Sequence, residues 1–238
     1  MKIINFIGNY DKFELMIYVA KVVKLTQNAS VLIIDSYETQ KSRCIVPAIL
    51  NDEQYITTFE EMDIAVGFKE QKEIVEYLQE HNDDFNNYDY VFIDMNSKEA
   101  CVNFNSENPN VSFTVTSYDK FDILKTVGLL SEYTEKNKSF VGKMHKIYFY
   151  SLLETSDEKY IDYSFNNLEL EWHKKKIYIP LDEGDKSVLI QNQYAEKIRI
   201  RELSKTFRNG IVEIATYILG DASKSFILKT MKNIERGV

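Results

Sequence analysis

The sequence predicts an α/β protein with a doubly wound, mostly parallel sheet and helices on both faces. Segments with strand and helix patterns alternate along most of the chain, which is typical of right-handed βαβ units. Two strand segments, "SVLIID" and "YVFID", are continuous apolar runs, as expected for strands buried on both faces of a parallel sheet. No repeat or flexible linker interrupts this pattern. We therefore predict one α/β domain over residues 1–220 and an amphipathic tail over residues 221–238.

The periodicity of apolar residues predicts each element in turn. Leu15, Val19 and Val22, for example, recur at helical spacing after the first strand. The region between Cys44 and Phe59 has no clear pattern, and a polar loop is expected after residue 94. The predicted strands are 2–7, 30–35, 90–94, 111–116, 146–152 and 176–181, and the predicted helices are 12–25, 69–81, 120–133, 186–195 and 204–219.

Charge and composition narrow the range of functions. The net charge of -8 disfavours binding to bulk nucleic acid or to anionic lipid, so either contact would need a local basic patch. Cys44 and Cys101 lack a paired spacing and the three histidines are scattered, so these residues predict neither a metal site nor a disulfide. The beginning of the chain lacks a signal-peptide layout, and no apolar run is long enough to span a bilayer. We expect a cytoplasmic protein.

The segment "FIGNYDKFELMIYVA" has the layout of a phosphate-binding loop. An apolar strand runs into a turn, and a helix then follows with Lys12 at its start. A loop of this kind holds phosphates with converging backbone N–H groups, a lysine and a Ser or Thr hydroxyl for Mg²⁺. Here the layout is present with a single glycine, Gly8.

Four segments in order resemble one family of proteins. The family is the ParA/MinD group of deviant-Walker ATPases, which includes the TadZ/CpaE pilus-localisation proteins. Its phosphate loop is similar to "DKFELMIYVA" and its second strand to "VLIIDSYETQ". Its Walker-B strand is similar to "YDYVFIDMNS" and its base-recognition loop to "IPLDEGDKSVLIQNQY". The resemblance covers nearly the whole chain and implies a P-loop NTPase-like fold. It places Lys12, Asp35 and Asp94 in a vestigial nucleotide site.

The departures from the family pattern predict a site without activity. Asp11 replaces the glycine before the lysine, and Phe13 and Glu14 replace the two threonines, so the magnesium hydroxyl is lost and two carboxylates are added. Tyr37 stands where the family carries an aspartate of its first switch. Losing several charge-stabilising contacts at once removes phosphoryl-transfer activity. We predict a pseudo-ATPase that uses no cofactor.

Several residues at this site have two interpretations. Lys12 is either a remnant of the nucleotide site or an ordinary solvated lysine, and Asp35 and Asp94 either hold a metal or cap the loops that follow them. Family dimers join through their phosphate-loop faces, so Tyr10 and Phe13 are predicted at the interface of a homodimer that needs no nucleotide. In the other interpretation, Phe13 turns inward and fills the empty pocket of a monomer.

Two further segments carry charge that could serve binding. The strongest basic patch is formed by Arg199, Arg201, Lys205 and Arg208, the residues that would contact nucleic acid. In the tail, one helical face is apolar and the other basic, which resembles the membrane-binding helix that ends MinD-type proteins. Packing against the protein's own body or a partner is the alternative for this face, formed by Phe226, Ile227, Met231 and Ile234.

Two classes of function follow from these features. The first is a non-catalytic localisation or assembly scaffold for a larger machine, such as a pilus, secretion or conjugation apparatus. Such a scaffold would be cytoplasmic, and it would contact the inner face of the membrane if the tail binds lipid. The alternative is a divergent ParA-type ATPase or a DNA-binding protein in plasmid or chromosome partition. Loop chemistry separates the two, because only the second class needs an intact phosphate loop.

Overall fold

The computed structural model describes residues 1–36, 40–47, 53–104, 109–136, 143–151 and 158–236. Strands and helices alternate through these residues as the apolar periodicity predicts. The strands are β1 (Lys2–Ile7), β2 (Val31–Asp35), β3 (Tyr55–Phe59), β4 (Met62–Val66), β5 (Tyr90–Met95), β6 (Val111–Thr116), β7 (Lys143–Ser151), β8 (Glu171–Trp172) and β9 (Ile177–Pro180). The helices are α1 (Phe13–Gln27), α2 (Gln71–Glu80), α3 (Lys98–Asn103), α4 (Lys120–Lys136), α5 (Glu158–Phe165), α6 (Glu183–Ala195), α7 (Lys205–Leu219) and α8 (Lys224–Arg236).

The strands form one sheet in the order β3–β4–β2–β5–β1–β6–β7–β8, and β9 also pairs with β7. The β3–β4 pair is antiparallel, and the other pairs are parallel. The central strands β5, β1 and β6 end at the same edge, so the loops that follow them are neighbours. The prediction of a doubly wound, mostly parallel sheet is confirmed.

Helices cover both faces of the sheet, and the side chains of β2 show why. Val31 and Ile33 belong to a core that α1, α6, α7 and α8 close, whereas Leu32 and Ile34 belong to a second core under α2, α3, α4 and α5. Successive side chains of a strand point to opposite faces, so a strand covered on both sides is apolar throughout. Among the described helices, none is both long enough and apolar enough to cross a bilayer.

The segment predicted as an amphipathic tail, residues 221–238, contains a helix that packs on the rest of the fold. Its helix α8 packs on α1 and α7, with Ile227 and Met231 buried in the first core and Ile234 packed against it. Phe226 remains exposed. Three of the four residues of the apolar face that resembled a membrane anchor therefore pack against the protein's own body, which was the alternative interpretation. Residues 237–238 lie outside the described part of the chain.

Five of the described strands and helices, namely β3, β4, β8, α3 and α5, escaped prediction because their sequence signals are weak. The β3–β4 hairpin turns at Glu60 and Glu61 and lacks the Asn-Gly pair that marks such turns. Helix α3 has six residues and lies in the expected polar loop, where the Ser97 hydroxyl caps it by accepting a hydrogen bond from the Ala100 N–H. Helix α5 lies in an aromatic-rich stretch for which no helix was predicted.

The hairpin turn carries backbone strain that a glycine would relieve. Glu60 and Glu61 have φ angles of 51° and 61°, in the left-handed region that costs an ordinary residue about 1 kcal/mol. Glu60 is needed because it accepts hydrogen bonds from Lys21 Nζ and Ile198 N–H, but the Glu61 side chain is 79% exposed. We expect Glu61→Gly to raise the free energy of unfolding by about 0.5–1 kcal/mol, measured by urea denaturation.

A helical control distinguishes strain relief from a general effect of glycine. Glu76 is an exposed residue in the middle of α2, where glycine has no conformational advantage. Glu76→Gly should lower the free energy of unfolding by about 1 kcal/mol. Equal losses in the two variants would show that the turn is not strained.

Candidate functional site

The loop after β1 is shaped by its single glycine. Gly8 donates its N–H to the Met95 carbonyl at 2.9 Å, and a Cβ at this position would lie 1.9 Å from the Val115 carbonyl oxygen. The backbone therefore passes between the ends of β5 and β6 with no room for a side chain. This glycine is required for packing between the strands, whatever else the loop does.

Lys12 is buried and binds groups of its own chain. Its side chain is fully buried, and Nζ donates a hydrogen bond to the Gly8 carbonyl at 2.8 Å and lies 2.5 Å from Asp94 Oδ1. The interpretation of Lys12 as a solvated lysine is therefore wrong. The ammonium group faces the end of β5, and its neighbours there are a carbonyl and a carboxylate.

Asp94 is the partner of this lysine at the end of β5. Burial raises the pKa of Asp94 to about 6, because the charged form is desolvated; Lys12 opposes the rise and Asp35 adds to it. The structure pairs Asp94 with Lys12, a contact that neither the metal-ligand nor the loop-cap interpretation of Asp94 included. Among the described residues, no group of three or more side chains is placed to hold a metal ion.

Asp35 lies beside Asp94 but has a different role. The two aspartates are in register at the ends of β2 and β5. Asp35 Oδ2 accepts a hydrogen bond from the Ser42 N–H at 2.9 Å, at the start of the short 3-10 helix Lys41–Cys44. The capping interpretation of Asp35 is confirmed.

The two carboxylates that replace family residues are held by a lysine that sequence reasoning missed. Lys41 Nζ contacts Asp11 and lies 3.3 Å from Glu14 Oε2. Burial works to lower the pKa of Lys41, but the two carboxylates outweigh it and the pKa is raised. Glu14 Oε1 also accepts a hydrogen bond from Gln193 Nε2 at 2.9 Å, so it joins α1 to α6.

A search for a cation near Asp11 and Glu14 could have found Lys41, because two acidic residues at a phosphate loop imply a counter-ion. No sequence signal marks Gln193. Tyr37, which replaces the switch aspartate, lies outside the described residues.

Phe13 and Tyr10 do not form an exposed pair, contrary to the predicted interface. Phe13 is 1% exposed and belongs to the first core, because it is the first residue of α1 and points toward the sheet. Tyr10 is half-buried, and its ring centroid lies 5.3 Å from that of Phe149. The alternative in which Phe13 turns inward matches the structure.

The basic segment is partly used within the protein. Arg208 donates to the carbonyls of Arg201 and Leu203 and lies 3.2 Å from the Glu235 carboxylate. Arg199 is half-buried, whereas Arg201 and Lys205 are exposed. The patch predicted as a nucleic-acid contact thus presents two exposed cations on a protein of net charge -8.

Comparisons with known proteins agree with this architecture. MinD from Aquifex aeolicus superposes with a TM-score of 0.54 at 14% identity, covering 92% of this chain and 98% of that protein. The MinC:MinD complex from the same organism gives 0.50 at 11%, covering 98% and 96%. A candidate plasmid partition protein from Borrelia burgdorferi bound to AMPPNP gives 0.50 at 12%, covering 98% of both chains. No protein-family model and no curated protein sequence matches.

The chain has the ParA/MinD-like P-loop fold. This agrees with the resemblance found in the four sequence segments, which places the loop from Gly8 to Lys12 at the position of the family's phosphate loop. At the ParA/MinD-like site, the lysine and the carboxylates are paired with one another.

Proposed function

We propose that this chain is a pseudo-ATPase of the ParA/MinD type that acts as a localisation or assembly scaffold for a larger machine, such as a pilus, secretion or conjugation apparatus. The observation that supports this proposal is the self-paired site. Lys12, the cation that would contact phosphate, is fully buried against Gly8 and Asp94. A nucleotide would have to replace both contacts before it could use the lysine.

The charge balance of the site works against a polyphosphate. Asp11, Glu14, Asp35 and Asp94 supply four carboxylates, whereas Lys12 and Lys41 supply two ammonium groups. Like charges a few ångströms apart repel by about 1–4 kcal/mol each near a protein surface. With one glycine and no hydroxyl in the first turn of α1, the loop also offers few groups to offset that repulsion.

A thermal-shift titration with ATP and Mg²⁺ tests the loss of the nucleotide site. We expect no change in the melting temperature up to millimolar ATP, because a ligand that binds the folded state must stabilise it. Phosphate release should equal that of a buffer blank. Saturable stabilisation by ATP, together with release that Lys12→Ala abolishes and Lys136→Ala on the exposed end of α4 leaves unchanged, would contradict the proposal.

The proposed scaffold is a homodimer that forms without nucleotide. Since Phe13 is buried, we place the interface on Phe121 and Leu124 of α4, which are 61% and 53% exposed. Asn9 holds this helix against the loop, because its side chain donates to Asp122 at 3.0 Å and its N–H to Thr126 at 3.1 Å. Two large exposed apolar side chains one turn apart are typical of a contact surface.

Sedimentation of the full chain at micromolar concentration measures the oligomeric state. We expect a dimer that Phe121→Asp shifts to monomer by at least tenfold in dissociation constant, because a charge is then buried in the interface. Tyr163→Asp is the matched control, since Tyr163 is 68% exposed on α5. A monomeric wild-type protein, or equal effects of the two substitutions, would contradict the dimer.

The alternative is a divergent ATPase or DNA-binding protein in partition. The Borrelia protein of similar fold is a candidate partition protein bound to a nucleotide analogue, and the MinD of similar fold was solved in complex with MinC. Arg201 and Lys205 are the exposed cations of this chain that would contact DNA. The ATP titration separates the alternatives, because the scaffold role requires no nucleotide.

A further inference from the structure

A groove of about 460 Å³ lies between α7, the start of α8 and the connection from β8 to β9. This volume is within the range of about 300–1,000 Å³ that is usual for ligand sites. Lys2 Nζ donates to the Ile218 carbonyl at 3.3 Å, which places the end of α7 beside the beginning of β1. The groove, which we call the α7–α8 groove, is therefore at the opposite edge of the sheet from the phosphate loop.

One wall of the α7–α8 groove is aromatic and held rigidly. The rings of His173 and Tyr217 have centroids 5.0 Å apart. Both rings pack on the buried His145, at 4.6 Å and 4.1 Å. Leu228 on α8 faces them across the groove and is 43% exposed. These side chains offer a fixed apolar surface that a ligand can cover at little entropic cost.

The polar groups of the groove differ in whether they already have partners. Lys175 and Glu213 form an ion pair at 2.8 Å, so they add little net charge. Within the described part of the chain, Lys224 and Asp221 contact no opposite charge and the Asn209 carboxamide has no hydrogen-bond partner. The groove therefore presents one free cation, one free anion and one free amide to a ligand.

The dimensions and chemistry of the groove match an extended peptide. Asn209 to Tyr217 covers about 12 Å at 1.5 Å per helical residue, which is the length of three to four extended residues. A carboxamide offers one donor and one acceptor direction, as a peptide bond does. Lys224 and Asp221 are three residues apart, so the side chains at i and i+2 of a strand can reach both.

We propose that the α7–α8 groove binds an extended peptide segment of a partner protein, with an acidic side chain at Lys224 and a basic side chain two residues away at Asp221. Apolar residues between and beside them cover Tyr217 and Leu228. The inference deepens the proposed scaffold function by naming a partner site, but its geometry does not depend on the nucleotide site. An experiment can therefore contradict the peptide site without contradicting the pseudo-ATPase proposal, and the reverse.

An NMR titration of the ¹⁵N-labelled full chain tests this site. The probes are the synthetic peptides Ac-Leu-Glu-Leu-Lys-Leu-NH₂, its charge-exchanged form Ac-Leu-Lys-Leu-Glu-Leu-NH₂, and a neutral form with glutamine at both charged positions. We expect one charged peptide to shift the amides of residues 209–217 and 221–228 with the highest affinity. Lys224→Glu should weaken that affinity at least fivefold, and Asp221→Lys combined with Lys224→Glu should reverse the preference between the charged forms.

Lys229→Glu supplies the matched control, because Lys229 is exposed on α8 outside the groove lining. Its affinity for the peptides should equal that of the wild type. Equal shifts with the neutral peptide, no shifts at millimolar peptide, or an affinity unchanged by Lys224→Glu would overturn the proposal. Peptide binding at the groove together with ATP binding at the loop would overturn only the pseudo-ATPase assignment.

Discussion

Lys12→Met is expected to destabilise the protein by about 3–5 kcal/mol at pH 7.5, because it leaves the Asp94 carboxylate buried without a counter-charge. In the wild type the Lys12 ammonium lies 2.5 Å from the Asp94 carboxylate. It also donates a hydrogen bond to the Gly8 carbonyl at 2.8 Å. Asp94→Asn should cost less, because burial raises the pKa of Asp94 and so already disfavours its charged form. The free energy of unfolding from urea denaturation at pH 7.5 measures the loss.

The double variant Lys12→Met/Asp94→Asn isolates the pair. Removing both charges should recover most of the stability, since apolar replacement of a buried ion pair is often neutral. A loss below about 1 kcal/mol for Lys12→Met alone would show that water reaches the pair and that the site is open. Equal losses of unfolding free energy in the single and double variants would show that the two side chains stabilise the fold by packing rather than by their charges.

The pH dependence of Lys12→Met gives a second measurement on the same pair. The pKa of Asp94 is raised from 3.8 in the unfolded chain to about 6 in the fold. The stability that this shift contributes to the free energy of unfolding is therefore fully present below pH 4 and is lost as the pH rises through 6. Removing the Lys12 charge raises the pKa of Asp94 further, so the stability is lost over a range that extends to higher pH. We expect Lys12→Met to be less destabilising at pH 5 than at pH 8.

Gly8→Ala is expected to cost about 3 kcal/mol or more, an effect as large as the insertion of atoms into a well-packed core. The new Cβ would lie 1.9 Å from the Val115 carbonyl oxygen, which is backbone and cannot rotate away. Either the loop or the end of β6 must move. Because Gly8 also supplies the carbonyl that accepts from Lys12, the movement disturbs the ion pair as well.

Gly128→Ala is the matched control for this prediction. Gly128 lies within α4, and a Cβ there would have no heavy atom within 4 Å. Alanine should therefore stabilise the protein by about 0.5–1 kcal/mol, through helix propensity alone. A loss below 1 kcal/mol for Gly8→Ala would show that the loop is loosely packed, as an open phosphate loop would be.

The sequence predicts the fold well because its strands are buried on both faces. The segments of β2 and β5 read as apolar runs for that reason, and the helices are predicted from the regular spacing of their apolar residues. The β3–β4 hairpin was missed because Glu60 and Glu61 form its turn against their own preference. Its stability comes from contacts with Lys21 and Ile198, which no local pattern contains.

The sequence predicted where the site residues lie but not which of them contact one another. The family resemblance places Lys12 and Asp94 at one edge of the sheet, yet their separation of 2.5 Å depends on how the loop packs around Gly8. Phe13 was assigned to the surface because active relatives need a small residue there, whereas its first-turn position points it into the core. Lys41 approaches from a segment with no strand or helix pattern.

The contact between α1 and α8 has a consequence for synthesis on the ribosome. Thr26 and Thr230 are 204 residues apart in the chain, and their hydroxyl groups are 3.2 Å apart in the fold. At translation rates of about 5–20 residues per second, α1 emerges about 10–40 seconds before the helix that covers it. During that interval the apolar side of α1 is available to chaperones, so the yield of native protein should depend on them more strongly than that of a fold built from local contacts.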